Sequence, residues 1–382
     1  MWLFALPVEG LYTMKSLFRR FLQDYDPYLI SALFVLCMFG LLGVYSATYK
    51  GSISPLFIKQ LIYLSIGWFL VIFLSRLNFR LFYDLAPALY FFNLLLLVLV
   101  PLLGKTVYGA KRWLDLGPVS LQPSELFKFS FTLFSLHTLS HIKKPFSKES
   151  FILVMAFMLP SVLTIKQPDL GTAITYGIIL IFLLFLWGVR WRYFFITALA
   201  LLLSSPFLWH LLKDYQRERI LAVLDPYEDY HGSGYQLIQS VIAVGSGGLW
   251  GKGLLGGTQS HLLFLPEKHT DFIFSVIAEE WGFLGSLMLL ASLFLISYRI
   301  ALYAFHTPYP LERAYLGVFA GLWLFQSLVN MLMTMGWMPV VGIPLPFVSY
   351  GGSSVLTFSL FMGLAFAIIR EQRNRPIRFE DG

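Results

Sequence analysis

The strongest chemical signal in the sequence is a pair of carboxylates in the string FLPEKHTDFIF, residues 264–274. Asp271 directly precedes a long apolar run, and Glu267 lies four residues before it. A carboxylate within hydrogen-bond reach of a hydroxyl can act as a general base. Asp271 or Thr270 could equally be the N-cap of the helix that follows. Glu267 and His269 are candidates for binding a substrate or, as a plainer alternative, solvated loop residues.

Basic residues elsewhere in the chain suggest where a phosphate could bind, and one of them has an acidic neighbour. Lys111 and Arg112 precede a tryptophan, and paired cations suit a pyrophosphate, although they could also be interfacial side chains beside an aromatic anchor. Glu125 and Lys128 lie three residues apart, so one helix face carries both and they should form an ion pair. That pair could either fix helix packing or border a substrate cavity. Arg219 is an alternative phosphate ligand.

Several other charged residues admit two interpretations. Arg217 shares a short amphipathic segment with Arg219 and is an alternative phosphate ligand or an exposed interfacial charge. Asp169 should cap the helix that follows Pro168. Glu279 and Glu280 lie within an apolar run, where acids are costly and are either functional or paired.

The composition decides what kind of protein must position these residues. The chain has 382 residues, of which 57% are hydrophobic and only 13% are charged. Soluble domains have about 25% charged residues, so the sequence predicts an all-α polytopic membrane protein. A spanning helix needs about 20 apolar residues. Ten segments qualify as predicted spans: 27–46, 55–75, 80–101, 121–141, 150–166, 169–188, 192–212, 271–299, 312–337 and 350–370.

The distribution of positive charge predicts the orientation of the chain. Ten spans place both termini on one side, and that side holds 16 of the 28 Lys and Arg residues, against 10 on the other side. By the positive-inside rule the termini are cytoplasmic. The net charge of +7 therefore reflects topology, and we expect no nucleic-acid partner. Residues 213–270 then form a long extracytoplasmic segment between helices 7 and 8, with a glycine-rich part that we expect to be re-entrant or interfacial.

The remaining sequence features define the domain boundaries and exclude some kinds of site. We predict a cytoplasmic or interfacial N-terminus over residues 1–24, a ten-helix membrane domain over 25–371 and a cytoplasmic tail over 372–382. Met14 is an alternative start to Met1. The single cysteine, Cys37, excludes an internal disulfide. No nucleotide-binding or metalloprotease motif is evident.

Four motif-rich segments fall on the predicted outer side, which indicates one site there. They read KRWLDLGPVSLQPSELFK, QPDLGT, FLPEKHTDFIF and GIPLPFVSYGGSS. In this order the four segments resemble the SEDS (shape, elongation, division, sporulation) family of bacterial cell-wall proteins. The strings GSGG at 245–248 and GTQS at 257–260 look like the elongation member RodA more than the division member FtsW.

The resemblance implies a peptidoglycan glycosyltransferase of the inner membrane that polymerises lipid II on the extracytoplasmic face. It implies that Asp271 is the general base and that undecaprenyl pyrophosphate is the leaving group, and it gives weight to Glu125 as a site residue. A class B penicillin-binding protein that crosslinks the glycan is the implied partner. Mg²⁺ or Mn²⁺ could assist departure of the pyrophosphate, with unknown ligands, and no organic cofactor is expected. Two alternatives stay open, a lipid II flippase that uses the same site and a scaffold for the partner.

Overall fold

The computed structural model describes residues 24–107, 110–115, 117, 120–144, 147–227, 232–261, 265 and 267–374. The predicted N-terminal segment up to residue 23 and the tail from residue 375 lie outside these residues. The helices are α1 Pro27–Thr48, α2 Pro55–Ser75, α3 Phe79–Asp84, α4 Ala86–Leu103, α5 Pro123–His141, α6 Lys148–Lys166, α7 Leu170–Leu186, α8 Trp191–Leu211, α9 Asp214–Leu224, α10 Ser233–Ser246, α11 Thr258–His261, α12 Ile273–His306, α13 Pro310–Thr334 and α14 Gly352–Asn374.

The helices confirm a polytopic all-α membrane protein. Within the described ranges, eight helices are long and apolar enough to cross a membrane, namely α1, α2, α4, α6, α8, α12, α13 and α14. The fourth and sixth predicted spans correspond to α5, which is rich in polar residues, and to α7, which has 17 residues. The count of ten spans stays a prediction.

Local sequence explains where several helices begin. Asp26 precedes Pro27, and its carboxylate accepts hydrogen bonds from the amides of Tyr28 at 2.8 Å and Leu29 at 3.2 Å. Asp169 caps α7 in the predicted manner, with its Oδ1 accepting from the Thr172 amide at 3.2 Å. These side chains satisfy amides that have no partner inside the first helical turn.

Two predicted spans are interrupted. The third span divides at Leu85 into α3 and α4, because Pro87 in the first turn of α4 has no amide hydrogen to continue the earlier turn. The eighth predicted span corresponds to α12, which has 34 residues and breaks at Gly282, whose φ of 64° and ψ of −159° are not helical.

The buried core lies around α13 and α14. Trp323 of α13 packs edge-on against Phe358 of α14, with ring centroids 5.4 Å apart, and both are fully buried. By contrast, none of residues 191–210 in α8 is buried. Helix α8 therefore presents apolar side chains in all directions, as a lipid-facing helix does.

A small antiparallel sheet, which the sequence analysis did not predict, follows α4. Its strands are β1 Lys105–Val107, β2 Ala110–Asp115 and β3 Ser120–Leu121. Strands of two to six residues carry too little alternation to be recognised in a sequence. The sheet places Arg112 beside the start of α7.

The long segment before α12 is folded against the bundle. It contains α9, α10 and α11, and α10 packs on α12. The glycine-rich residues 247–257 cross α12 at its break, where the amides of Lys252 and Gly253 donate to the carbonyls of Glu279 and Glu280, each at 3.0 Å. The loop thus supplies hydrogen bonds that the interrupted helix lacks.

Candidate active site

The motif segments meet at one end of the bundle, as predicted. The Gln122 side chain donates to Asp169 Oδ2 at 2.9 Å, and Ser124 donates to the same oxygen at 3.3 Å. The Gln122 amide donates to Ser353 Oγ at 2.7 Å. Ser353 of the SYGGSS motif therefore accepts a bond from the QPSE motif. These contacts join three of the four motifs.

The FLPEKHTDFIF motif reaches the same end through the residues that precede α12. The backbone amide of Tyr350 donates to the His269 carbonyl at 2.8 Å, and the Ser349 hydroxyl donates to the Thr270 carbonyl at 2.7 Å. Asn330 of α13 donates from Nδ2 to the Asp271 carbonyl at 3.0 Å. The segment that carries Asp271 is therefore fixed against α13 and the SYGGSS motif.

Asp271 lies just before α12 and does not cap it. The N-cap is Phe272, and no side chain makes a capping bond there, so the alternative that Asp271 or Thr270 is a cap is wrong. The side chain is half-buried, and in the described parts of the chain no donor is bonded to its carboxylate oxygens. This carboxylate is available to a ligand.

Burial and the Glu267 carboxylate raise the pKa of Asp271 to about 6, against opposing effects of Arg219 and Arg112. Asp169 adds to the rise. A carboxylate with a pKa near neutrality is well matched to accept a proton and remain ionised at physiological pH. This pKa is compatible with the predicted role of Asp271 as a general base, and the role itself stays a prediction.

Arg112 and Arg219 both lie near enough to Asp271 to lower its pKa, whereas Lys111 is not among the residues that do so. Arg112 donates from Nε to the Gln167 carbonyl at 3.0 Å and from Nη2 to the Pro168 carbonyl, which fixes it against the QPDLGT motif. Lys111 is its neighbour on strand β2 and is exposed. Adjacent strand residues point to opposite faces, so Lys111 and Arg112 lie on opposite faces of β2, and binding of a pyrophosphate by Lys111 stays a prediction.

The two arginines of α9 have different surroundings. Arg219 donates from Nη1 to the Val340 carbonyl at 2.9 Å, which places it beside the segment leading to the fourth motif. Arg217 donates to the carbonyls of Trp209 at 3.1 Å and His210 at 3.0 Å. Arg217 therefore caps the end of α8, and its predicted alternative as a phosphate ligand is not supported.

Glu125 and Lys128 form the predicted ion pair deep in the bundle. Lys128 Nζ lies 2.8 Å from Glu125 Oε1, both side chains are buried, and Nζ also donates to Gln326 Oε1 at 3.3 Å. Glu125 Oε2 is buried and has no hydrogen-bond partner among the described residues. The pair links α5 to α13, and a role for either residue in substrate binding stays a prediction.

His269 and Glu267 flank the loop before Asp271. The His269 ring lies 5.5 Å from the Tyr350 ring, and burial lowers the pKa of His269. Glu267 has a φ of 51°, in the left-handed region that most residues avoid, and its Oε2 accepts from Thr270 Oγ1 at 3.2 Å. Glu267 is thus turned toward the Asp271 segment and contributes negative charge to it.

Glu279 and Glu280 are paired with the glycine-rich loop. Glu279 Oε1 accepts from Lys252 Nζ at 2.8 Å, from Thr258 Oγ1 at 3.1 Å and from the Gln259 amide at 3.0 Å. Glu280 Oε1 accepts from Ser46 and, at 3.2 Å, from the Leu255 amide. Of the two predicted alternatives, the structure supports pairing.

Asn330 and Gln326 were missed by the sequence analysis. They lie four residues apart on α13, are fully buried, and contact the Asp271 segment and Lys128. Uncharged amides do not stand out in a search for titratable groups. Their spacing within an apolar helix was an available signal, because polar residues inside membrane spans are uncommon and usually functional.

No group of three or more His, Cys, Asp and Glu side chains suited to a metal ion is found in the described residues. Mg²⁺ is commonly held by one or two carboxylates together with substrate phosphates. Asp271 and Glu267 offer such carboxylates, so this donor set fits the predicted cation. The cation itself stays a prediction.

Comparison with known proteins decides the family. Residues 27–374 match the family of cell cycle proteins that includes FtsW, RodA and SpoVE. The chain belongs to this family. It is 38% identical over 345 residues to the peptidoglycan glycosyltransferase MrdB of Escherichia coli K12, covering 90% of this chain and 93% of the relative. It is also 38% identical over 366 residues to a probable peptidoglycan glycosyltransferase FtsW of Coxiella burnetii, covering 92% and 98%.

Solved structures agree with this assignment. A peptidoglycan synthase complex described as coordinating polymerization and crosslinking contains a chain that is 36% identical, with a TM-score of 0.78 and coverage of 92% of this chain and 99% of that one. The rod shape determining protein RodA of Thermus thermophilus is 30% identical, with a TM-score of 0.68 and coverage of 92% and 98%. These matches confirm that the chain is a SEDS protein most like RodA.

Proposed function

We propose that this chain polymerises lipid II during cell elongation, with Asp271 as the general base. The names of its relatives support a peptidoglycan glycosyltransferase, and the chain is an enzyme of that class in the bacterial inner membrane. The observation that carries the residue assignment is the half-buried Asp271 carboxylate, whose oxygens accept no hydrogen bond from the described residues and whose pKa is raised to about 6.

The proposed step is a displacement at the anomeric carbon. Asp271 accepts the proton of the acceptor sugar hydroxyl while that oxygen forms a bond to the anomeric carbon of the donor. The bond between that carbon and the phosphate oxygen breaks, and undecaprenyl pyrophosphate leaves with the electron pair. A positioned general base contributes about 10²- to 10⁴-fold to the rate of such a step.

The leaving pyrophosphate would bind to Arg112 and Arg219, the two arginines that lower the pKa of Asp271. Arg219 and Arg112 each use some of their donors on backbone carbonyls, which holds the guanidinium in place, and both act on the charge of Asp271. Fixed guanidinium groups suit phosphate oxygens. A divalent cation held by Asp271 or Glu267 would add charge neutralisation when bound. Lys111, Glu125, Lys128 and His269 are weaker candidates for substrate binding.

We place the active site on the extracytoplasmic face, with both termini in the cytoplasm. The excess of Lys and Arg on the terminus side supports this orientation. The partner we propose is a class B penicillin-binding protein, supported by the similarity to a chain of a peptidoglycan synthase complex that coordinates polymerization and crosslinking.

The test is polymerisation of lipid II by the purified protein together with its partner in detergent. Wild-type protein should give long glycan strands on a gel, and Asp271→Asn should give none above background. Asp214→Asn is the matched control, because Asp214 is an exposed aspartate of the same outer segment. Full polymerisation by a folded Asp271→Asn protein would contradict the general-base assignment. Lipid II transfer across liposomes without polymer would favour a flippase.

A further inference from the structure

The catalytic turn, residues 267–272 with Asp271, belongs to no regular helix or strand, so contacts with other elements must hold it in place. Helix α12 begins only at Ile273, two residues after Asp271. Within the segment, the amides of Thr270 and Phe272 donate to the Glu267 carbonyl at 3.1 Å and 3.4 Å, which closes a turn. These bonds shape the turn but do not orient it relative to the arginines on other elements.

Three consecutive carbonyls supply that orientation. Those of His269, Thr270 and Asp271 accept, in order, from the Tyr350 amide at 2.8 Å, the Ser349 hydroxyl at 2.7 Å and Asn330 Nδ2 at 3.0 Å. The last donor belongs to α13 and the other two to the SYGGSS motif. The turn is therefore attached at three successive points to the buried core of the bundle.

Asn330 has the geometry of a dedicated clamp. Its side chain is fully buried in α13, and Nδ2 donates both to the Asp271 carbonyl at 3.0 Å and to the Ile343 carbonyl at 2.8 Å. An amide nitrogen has two hydrogens, so each bond uses one of them. The Ile343 carbonyl belongs to the segment beside the Asp271 carboxylate, since a Cβ on Gly342 would lie 3.5 Å from Asp271 Oδ2.

Ser349 makes a similar connection with its hydroxyl. The oxygen donates to the Thr270 carbonyl at 2.7 Å and accepts from the Leu345 amide at 2.8 Å. Its position is fixed in turn, because Gln60 donates to the Ser349 carbonyl at 3.2 Å. Ser349 and Asn330 thus join the catalytic turn to the same loop, residues 343–349, from two directions.

We propose that Asn330, assisted by Ser349, is a positioning residue that holds the Asp271 carboxylate at the reacting hydroxyl. This inference rests on the proposed function of Asp271. Asn330 acts through the backbone of Asp271 and is not bonded to its carboxylate. Loss of the clamp should therefore lower kcat and leave KM for lipid II nearly unchanged, because a misplacement of about 1 Å can cost about 10²-fold in rate.

The experiment measures kcat and KM for lipid II polymerisation by the complex of the chain with its partner. Asn330→Leu keeps a similar volume but removes both donors, and we expect kcat to fall about 10- to 100-fold with KM changed less than about threefold. Asn330→Gln keeps the amide on a longer stem and should recover part of kcat. Ser349→Ala removes one of the three anchors and should lower kcat less than Asn330→Leu does.

Ser359→Ala is the matched control. Ser359 is fully buried on α14, and its hydroxyl has no hydrogen-bond partner among the described residues, so kcat should match that of wild type. Melting temperatures of all variants are measured in the same detergent. If Asn330→Leu fails to fold, Ser349→Ala and Asn330→Gln decide the question by the same split between kcat and KM.

Wild-type kcat in folded Asn330→Leu, or a rise in KM that accounts for the whole loss, would overturn the inference. Asp271→Asn is assayed in parallel to separate the two hypotheses. If that variant polymerises normally, the proposed function fails. If it is inactive while Asn330→Leu and Ser349→Ala retain full kcat, only the positioning role fails.

Discussion

Two pairs of acids near the start of α12 resemble each other in the sequence but differ in their surroundings. Glu279 and Glu280 lie inside the helix and accept hydrogen bonds from the glycine-rich loop and from α1, including an ion pair of 2.8 Å with Lys252. Asp271 lies before the helix, and its carboxylate is bonded by no described donor, while Glu267 lies near enough to raise its pKa.

Glu279 and Glu280 therefore stabilise the fold, whereas the Asp271 carboxylate remains available to a ligand. A buried carboxylate is tolerated when charges and donors satisfy it, and the loop does this for Glu279. An unsatisfied, half-buried carboxylate costs stability, and such costs are concentrated where function requires them. The four predictions below test this contrast, from the largest expected effect to the smallest.

The first prediction is that substitutions of Glu279 and Asp271 differ in their effect on stability. Glu279→Ala leaves Lys252 without its carboxylate and should lower the free energy of unfolding by about 3 kcal/mol. Asp271→Asn should not destabilise the protein. The pKa of Asp271 is raised in the fold to about 6, so its ionised form is disfavoured there, and the penalty is absent below pH 4 and complete above pH 6.

Melting temperatures at pH 7.5 check this. Asp271→Asn should melt no lower than wild type, and Glu279→Ala should melt several degrees lower. A marked loss of stability in Asp271→Asn would mean that this acid, too, is a structural one.

The second prediction concerns the loop that satisfies Glu279. A Cβ on Gly247 would lie 2.0 Å from the Ala278 carbonyl oxygen, so Gly247→Ala should displace the loop from α12 and destabilise the fold by about 1–3 kcal/mol. Gly245→Ala is the control, since a Cβ there meets nothing within 4 Å and alanine favours helix α10. Equal melting temperatures for the two variants would show that the loop is not docked as described.

The third prediction separates the arginines of α9. Arg219→Gln removes a cation that lies near enough to Asp271 to lower its pKa, and it should raise KM for lipid II about 10- to 100-fold, the value of a hydrogen bond to a charged group. Arg217→Gln removes the cap of α8 and a 3.6 Å ion pair with the exposed Asp214, and it should leave KM unchanged. Steady-state polymerisation assays measure both, and equal effects would remove the distinction between the two arginines.

The fourth prediction concerns the pH dependence of polymerisation. With a base of pKa about 6, kcat/KM should fall tenfold per pH unit at pH values below 6. Glu267→Gln removes a negative charge that raises this pKa, so the acidic limb should move to lower pH by less than about one unit. Arg219→Gln should move the limb to higher pH. If the acidic limb does not move in either variant, it reports the titration of a group other than Asp271.

Much of the fold was predictable because the membrane constrains it. Apolar runs of about 20 residues must be helices in lipid, and caps such as Asp26 and Asp169 confirm several predicted starts. The break at Gly282 was not predictable, because a glycine in an apolar run is compatible with an uninterrupted helix. The break depends on bonds from a loop some 30 residues earlier in the chain.

The candidate site shows the same division. The sequence by itself determined the membrane class, and it identified the four motifs and Asp271 as a candidate base. These features depend on residue type and local spacing. The tertiary structure decided that Arg112 and not Lys111 lowers the pKa of Asp271, that Glu279 is satisfied by the loop, and that Asn330 donates to the backbone of Asp271. Strand alternation and contacts between distant segments fix these relations, and neither is encoded in the spacing of any one motif.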